Sequence, residues 1–384
     1  MLPAMIFAAD ADALARIQRR CAGASFIKLF QVSAERPSLN DMLRLIRAYH
    51  PELVLIEFQD RADALSTEAT LRAELPKLGI LGFADSWQYE PVLRTVRGHL
   101  RVVSASVAFE EFQECVLDAM EVVQSGLPDN MTVFLPSKAG SGASTVALNV
   151  AGAIADSCGK SAVLIEADLH SGPASMYVKV NSKHSVLDAL QESGWLDSYW
   201  SELSVQDSNV AILPATKLPA SSSQLPSQWE YRRLTSVARS RFDHVIFDLP
   251  EVVNPATEAV VLKARTVFIV CTPEVPSLTL ARRRRSTLTS LGLPEERLKI
   301  VLNRCTKNGP ELSAVEEIIG RRIDETIPND YQAVWSANLR QQLVDPKTPP
   351  GRAFASFAGR LTGAPSASRQ RKFFGIFGSA ASLV

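Results

Sequence analysis

Over the first third of the chain, short apolar runs alternate with longer stretches whose apolar positions recur at helical spacing. MIFAAD, IKLFQVS, LVLIEF, LGILGF and LRVVSAS are the short runs, and ALARIQRRCAG, MLRLIRAY, LRAEL, VLRTVRGHL and FQECVLDAMEVV are the periodic ones. Apolar strands separated by amphipathic helices predict βα units around a parallel sheet. QSGLPDNM at residues 124–131 interrupts this pattern with Gly and Pro and reads as a linker. A second series opens at Thr132 with TVFLPS and continues through SAVLIEAD, NVAILPA, HVIFDLP, TVFIVCTP and LKIVLNR. The expected fold class is α/β, with two tandem doubly wound parallel-sheet domains at residues 1–123 and 132–362, and a tail at 363–384.

The second series carries the chemistry. Its first strand runs into Ser137-Lys138-Ala139-Gly140-Ser141-Gly142-Ala143-Ser144-Thr145, and a helical run follows to Ala155. A strand, a glycine turn and two hydroxyl residues opening a helix bring backbone N–H groups and the helix dipole onto one anion, which is the design of a phosphate-binding loop. The lysine that such loops place before the hydroxyl pair is Ala143, and a lysine stands instead at the front of the loop as Lys138. An in-loop lysine reaches the β- and γ-phosphates and stabilises the charge in transfer. Its loss harms catalysis more than binding.

Two further strands end in carboxylates. Glu166 and Asp168 close SAVLIEAD two residues apart and share one face at the strand's C-terminal end, where open α/β sheets bind ligands. Asp248 closes HVIFDLP and suits a Walker B acid that holds magnesium through water. Three elements in this order carry far more weight than any one strand-ending aspartate.

Composition narrows the function classes. The 384 residues suffice for two domains with separate cores. Lys and Arg number 41 and Asp and Glu 41, so no overall field draws the protein to nucleic acid. The five cysteines, Cys21, Cys115, Cys158, Cys271 and Cys305, form no C-x-x-C pair, which argues for reduced thiols in a cytoplasmic protein and against a zinc site or disulfide frame. The N-terminus offers no basic n-region and no long apolar stretch, so neither a signal peptide nor a membrane span is expected.

These motifs carry two resemblances. Residues 131 to about 345 resemble the MinD/ParA group of deviant Walker-A P-loop ATPases, and within it the CpaE/TadZ pilus-assembly branch, through the loop, LPA at 213–215, IFDLP at 246–250, CTPEVPSL at 271–278, VLNR at 301–304 and IPNDY at 327–331. The first domain resembles the flavodoxin-like receiver of response regulators, with Asp10 and Asp12 after its first strand and Glu57 where a receiver has its phospho-accepting aspartate. Glutamate is not the usual acceptor, and the family's later hydroxyl and lysine have no clear counterpart. A pseudo-receiver is therefore expected, with Asp10 and Asp12 either helix-start acids or remnants of a metal site.

The MinD/ParA resemblance implies ATP and Mg²⁺ as ligands and a homodimer that sandwiches the nucleotide. Gly140, Ser141, Gly142, Ala143, Ser144 and Thr145 would cradle the phosphates, with Ser144 reaching magnesium and Thr145 the α-phosphate. Lys138 would reach the facing subunit's nucleotide and Asp168 would orient the attacking water. Asp248 would support the metal, Asn303 would contact adenine, and Pro328 within IPNDY would flank the base. The implied function is that of a localisation or assembly factor for a type IV (Flp/Tad) pilus or related secretion machinery, with weak or absent hydrolysis. An active ATPase cycling on membrane or DNA is the alternative, and nitrogenase-type reductases are set aside for want of paired cysteines.

Three features stand outside that frame. Arg282–Arg285 circle a predicted helix and suit a solvated or intersubunit face better than nucleic acid, given the neutral charge. The serine-rich TKLPASSSQLPSQ reads as an exposed loop, and His170 as a loop residue near the carboxylate strand. In the tail, Arg369, Arg371 and Lys372 adjoin Phe373, Phe374 and Phe377, a composition that suits an anionic membrane surface, a partner, or the protein's own core. A cytoplasmic protein, peripheral at the inner membrane or cell pole, is the expected location.

Overall fold

The computed structural model describes residues 2–363 apart from 25–26, 34, 85–99, 105, 125–126, 170–171, 181, 183, 192–202, 206, 216–225 and 227. The basic and aromatic tail from 364 on, the serine-rich loop at 216–225, His170 and most of the expected VLRTVRGHL helix therefore lie outside the described residues. The chain forms two compact units that divide between Leu127 and Pro128.

In the first unit, β1 (Leu2–Phe7), β2 (Ile27–Ser33), β3 (Leu53–Glu57), β4 (Gly79–Phe83) and β5 (Arg101–Val103) make a five-stranded sheet in the order β2-β1-β3-β4-β5. Every pairing is parallel. The connecting helices α1 (Ala11–Ala22), α2 (Leu39–Tyr49), α3 (Arg61–Glu74) and α4 (Phe109–Gln124) begin where the sequence supplies caps. Asp10, Ser38 and Asp60 accept the N–H groups of Ala13, Asp41 and Asp63, satisfying helix-start donors that would otherwise face solvent unpaired. Leu53 to Ile56 are wholly buried, as a central parallel strand requires.

In the second unit, β6 (Met131–Pro136), β7 (Ala162–Glu166), β8 (Ser204–Val205), β9 (Ser208–Leu213), β10 (His244–Asp248), β11 (Thr266–Cys271), β12 (Leu298–Cys305) and β13 (Glu325–Pro328) form an eight-stranded sheet in the order β13-β12-β11-β6-β10-β7-β9-β8. All pairings are parallel except β8 with β9, at one edge. Part of the expected linker is built into this unit: Asn130 Nδ2 donates to the Phe242 carbonyl at 2.6 Å and Arg239 Nη2 to the Pro128 carbonyl at 2.8 Å. Chain composition marks a break in periodicity, and tertiary hydrogen bonds decide on which side each residue falls.

One face of this sheet is covered by α5 (Ala143–Cys158) and the Pro349–Thr362 helix, which pack on each other. Phe357 enters edge-on between Phe134 and Phe268, with centroids 5.9 and 4.8 Å away, and those two rings stack at 5.3 Å. Edge and offset ring contacts of this kind add about 0.5–1.5 kcal/mol each beyond area burial. Arg360 near the helix end pairs through both forks with Glu325 at the start of β13. The helix thus fixes β6 from behind, and β6 is the strand that delivers the loop.

All five cysteines are free thiols. Burial pushes those of Cys21 and Cys271 up to about 12, which keeps them un-ionised and inert.

Candidate phosphate-loop site

The loop begins where β6 ends. Ser137 N–H donates to the Val270 carbonyl at 2.8 Å and its hydroxyl lies 2.8 Å from that of Ser277, so the first loop residue is anchored to the neighbouring strand and helix. The chain then turns through Gly140 at φ +78° and Gly142 at φ +88°. Both angles are open to glycine and costly for other residues. At Gly142 a Cβ would also run into the Asn303 amide. Asn303, 8% exposed, donates from Nδ2 to the Ser141 carbonyl at 2.9 Å and accepts the Arg304 N–H on Oδ1 at 2.9 Å. Its amide therefore braces the loop from β12. Pro328 ends β13 in register with Cys305 and does not line the loop's cavity.

Ala143 opens α5, and no side chain caps the helix. The first N–H groups of such a helix are left for a ligand, with the positive end of the dipole behind them. Ala143 is 4% exposed and packs in the same apolar cluster as Phe134, Val146 and Ala147. A cavity of about 640 Å³ lies in front, lined by the loop from Ala139 to Thr145, by Asp168, by Tyr177 and Tyr231, by Leu249 to Val252, and by Arg304. The expected cradle residues Gly140, Ser141, Gly142, Ala143, Ser144 and Thr145 all reach it, as does Asp168.

Behind the cavity sit two buried carboxyl groups. Asp248 stands abreast of Phe134 on β6 and Glu166 on β7. It is 2% exposed and hydrogen-bonds Ser144, and its Oδ1 has no partner. Burial, reinforced by Glu166 and Asp168, pushes its carboxyl up to about 8 against the partial relief of Ser144. Glu166 is fully buried, yet both its oxygens are spoken for: Oε1 accepts the Ala174 N–H at 2.5 Å and Oε2 the Ala215 N–H at 3.0 Å. Burial still raises its carboxyl above the usual range. Glu166 thus clamps the segments after β7 and β9, a role that its strand-end position alone does not reveal.

The donor set fits a hydrated magnesium ion better than a protein-caged one. Among the described residues no group of three His, Cys, Asp or Glu could hold a metal. Magnesium is usually held by one or two protein oxygens plus phosphates and water. The Ser144 hydroxyl and the unpartnered Asp248 oxygen supply such a pair, and the buried, unpartnered Ser141 hydroxyl is a further polar atom left for a ligand.

Cations are scarce by comparison. Lys138 Nζ pairs with Glu274 at 3.4 Å. Arg284 Nη1 donates to the Glu251 carbonyl at 2.5 Å, and Arg285 Nη1 to the Gly320 carbonyl at 2.7 Å, so half of the arginine run is spent inside the unit while Arg282 and Arg283 remain exposed. Sequence reading gave no role to Glu251 and met Arg304 only as the end of VLNR. Arg304 takes a left-handed φ of +60°, with its N–H on Asn303 Oδ1.

In the first unit, Asp10 is the N-cap of α1, and Glu57 Oε2 accepts the Ala9 N–H at 2.7 Å with Arg16 at 3.8 Å from Oε1. The reading of Asp10 as a helix-start acid is the one the coordinates support.

No protein-family profile matches the chain. It is similar to the septum site-determining protein MinD of Thermotoga maritima, 22% identical over 223 residues that span 54% of this chain and 79% of the relative. It also superposes on a ParA family ATPase from Chlorobium tepidum, with a TM-score of 0.54 at 22% identity, over 60% of this chain and 99% of that one. The unit holding the phosphate loop has the MinD/ParA-type P-loop fold. A further structure of this MinD/ParA type, the Pyrococcus horikoshii MinD solved with Mg-ADP, matches with a TM-score of 0.52 at 18% identity over 60% of this chain and 95% of that one. Among the described residues no helix is long and apolar enough to cross a membrane.

Proposed function

We propose that the chain is a nucleotide-binding localisation or assembly factor of the MinD/ParA group, of the CpaE/TadZ kind, which serves a pilus or secretion machinery and hydrolyses ATP slowly or not at all. The observation that carries this reading is a complete phosphate cradle without an in-loop ammonium. Gly140 and Gly142 take the turn, the start of α5 is uncapped, and Ser144 and Asp248 stand ready for magnesium. Position 143 meanwhile holds a buried alanine.

The division of labour follows from where charge is needed. Backbone N–H groups and Mg²⁺ would neutralise a bound polyphosphate in its ground state; Ser144 and Asp248 would hold that ion, which would supply charge to offset the phosphates. Charge that develops during transfer needs an additional, preorganised cation. Removing one such partner typically costs roughly 10²–10³-fold in rate. Lys138 in the single subunit is engaged by Glu274, so it can serve a nucleotide only after that pair opens, as it would on association of two subunits. Asp168, at the cavity wall, would position water.

The first unit supports a receiver-like assignment through its parallel 2-1-3-4-5 strand order, and Glu57, tied to Ala9 and Arg16, is not poised as a phospho-acceptor. It is then a pseudo-receiver that contributes contacts or location. A second reading, a working ATPase that cycles on membrane or DNA, draws on the septum-site relative.

Calorimetry with Mg²⁺ and adenine nucleotides tests the common ground: absence of binding at millimolar ligand refutes both readings. Phosphate release separates them. Near-zero turnover in the wild-type chain, raised at least tenfold by Ala143→Lys, supports the assembly factor, whereas fast wild-type turnover supports the cycling ATPase.

A further inference from the structure

One backbone donor of the phosphate loop already holds an anion. The Ala139 N–H donates to Oε2 of Glu251 at 2.7 Å. Glu251 lies three residues past the end of β10, and its backbone is pinned from the side by Arg284, whose guanidinium is partly buried there. Ala139 and Glu251 both line the cavity in front of the loop, so this carboxylate occupies space and a donor that a polyphosphate would otherwise use.

The loop's donors thus fall into two groups. Those at the uncapped start of α5, around Ser144 and Thr145, are open and lie next to Asp248. The one on the outer limb, at Ala139, is taken. The charge balance sharpens the contrast. Asp168 and Glu251 line the cavity and Asp248 and Glu166 lie beneath it, while Lys138 is paired with Glu274. Among the described residues that line the cavity, Arg304 is the one basic side chain.

We propose that Glu251 stands in for the outermost phosphate group, so that a single subunit takes a nucleoside diphosphate in preference to a triphosphate and admits the triphosphate only when Glu251 leaves the Ala139 N–H. The proposal rests on the reading of this loop as a nucleotide site. A triphosphate carries more negative charge than a diphosphate, and its terminal group would compete with a carboxylate for the same donor at close range. Like charges a few ångströms apart at a protein surface repel by an amount worth on the order of tenfold or more in affinity. The inner phosphates, held at the helix start and by Mg²⁺, meet no such competitor. Triphosphate binding is then coupled to movement of the segment after β10, where Val252 is 76% exposed.

The test compares dissociation constants for ADP and for a non-hydrolysable ATP analogue, each with Mg²⁺, by calorimetry on the full chain at concentrations where light scattering reports a monomer. The wild-type chain is expected to bind ADP at least tenfold more tightly. Glu251→Gln keeps the shape, removes the charge, and is expected to shrink that ratio about tenfold, chiefly through tighter binding of the triphosphate. Glu251→Asp keeps the charge but withdraws it from Ala139, and should give an intermediate ratio; it also carries the test if the Gln variant fails to fold. A loss of folding alone would weaken both nucleotides together and leave the ratio unmoved. Binding of both nucleotides with a ratio unaffected by either variant overturns the proposal and leaves the nucleotide site standing, as does a wild-type preference for the triphosphate. No binding of either nucleotide to wild type or variants overturns the nucleotide site and this inference with it.

Discussion

Asp248 makes the metal-free protein sensitive to pH in a way that one substitution should remove. Burial, with Glu166 and Asp168 nearby, pushes its carboxyl from the usual carboxylate range up to about 8, because the ionised form is cut off from water. For an acid raised on folding, both states are protonated below about pH 4. As pH rises the unfolded chain ionises while the folded one resists, so stability falls by about 1.4 kcal/mol per pH unit and levels off above about pH 8. At pH 7 the accumulated loss is about 4 kcal/mol, a large part of the stability of an ordinary domain. Asp248→Asn keeps an acceptor for Ser144 and cannot ionise. Its amide places a donor where Oδ1 now lacks a partner, but that cost is independent of pH. The readout is therefore the slope, not the offset. Urea denaturation of the metal-free protein at pH 5, 6, 7 and 8 should show the Asn variant gaining on the wild type by about 1.4 kcal/mol per unit up to about pH 7. Binding of Mg²⁺ with nucleotide calls for the ionised form, of which about a tenth is present one unit below the pKa. Calorimetry at pH 7 in buffers of different ionisation enthalpy should then report release of about one proton by the wild type and none by the variant. Parallel stability profiles together with binding that releases no proton would refute the assignment of Asp248 as a buried, neutral acid awaiting a cation.

Other outcomes follow from the packing and the loop. Phe357→Ala removes a 1% exposed ring that meets Phe134 and Phe268 and should lower the unfolding free energy of the second unit by roughly 3–5 kcal/mol, measured by denaturant titration. Gly142→Ala must take φ +88° with a Cβ directed at the Asn303 amide, and should cost about 1–3 kcal/mol and abolish nucleotide binding by calorimetry, while Gly159→Ala, at φ +63° with open space around it, should spare binding.

What the sequence disclosed and what it withheld divide along a physical line. The loop, the helix behind it and the strands that end in Glu166 and Asp248 were legible because each depends on residues adjacent in the chain: an apolar run, glycines at the turn, hydroxyls at the helix start. The cap at Asp10 belongs to the same class. Asn303 was legible as important, but its brace on the Ser141 carbonyl was not, since a motif fixes which residue is present and not what its amide touches across the fold. For Glu166 the strand-end position suggested chemistry, while the backbone N–H groups of Ala174 and Ala215 make it a clamp. Glu251, Glu274 and the divided duties of the arginine run were hidden altogether, because they arise only when segments more than 30 residues apart are brought together.

The hidden contacts change the meaning of the visible motif. Read from sequence, the loop lacks one positive charge, and Lys138 stands close by to replace it. In the folded subunit that lysine is paired with Glu274 and the Ala139 donor beside it is held by Glu251, so the outer limb of the loop is satisfied by two carboxylates of its own chain. An empty cradle for anions would be costly to maintain, because unpaired N–H groups and a half-buried ammonium both demand partners. Internal acids meet that demand and at the same time set a threshold that a ligand must exceed. On the proposed reading, alanine at position 143 would do more than slow a reaction: with no ammonium on the inner side to draw phosphate in, the balance between Glu251 and an incoming phosphate, and between Glu274 and a neighbouring subunit, would decide whether the outer limb opens at all.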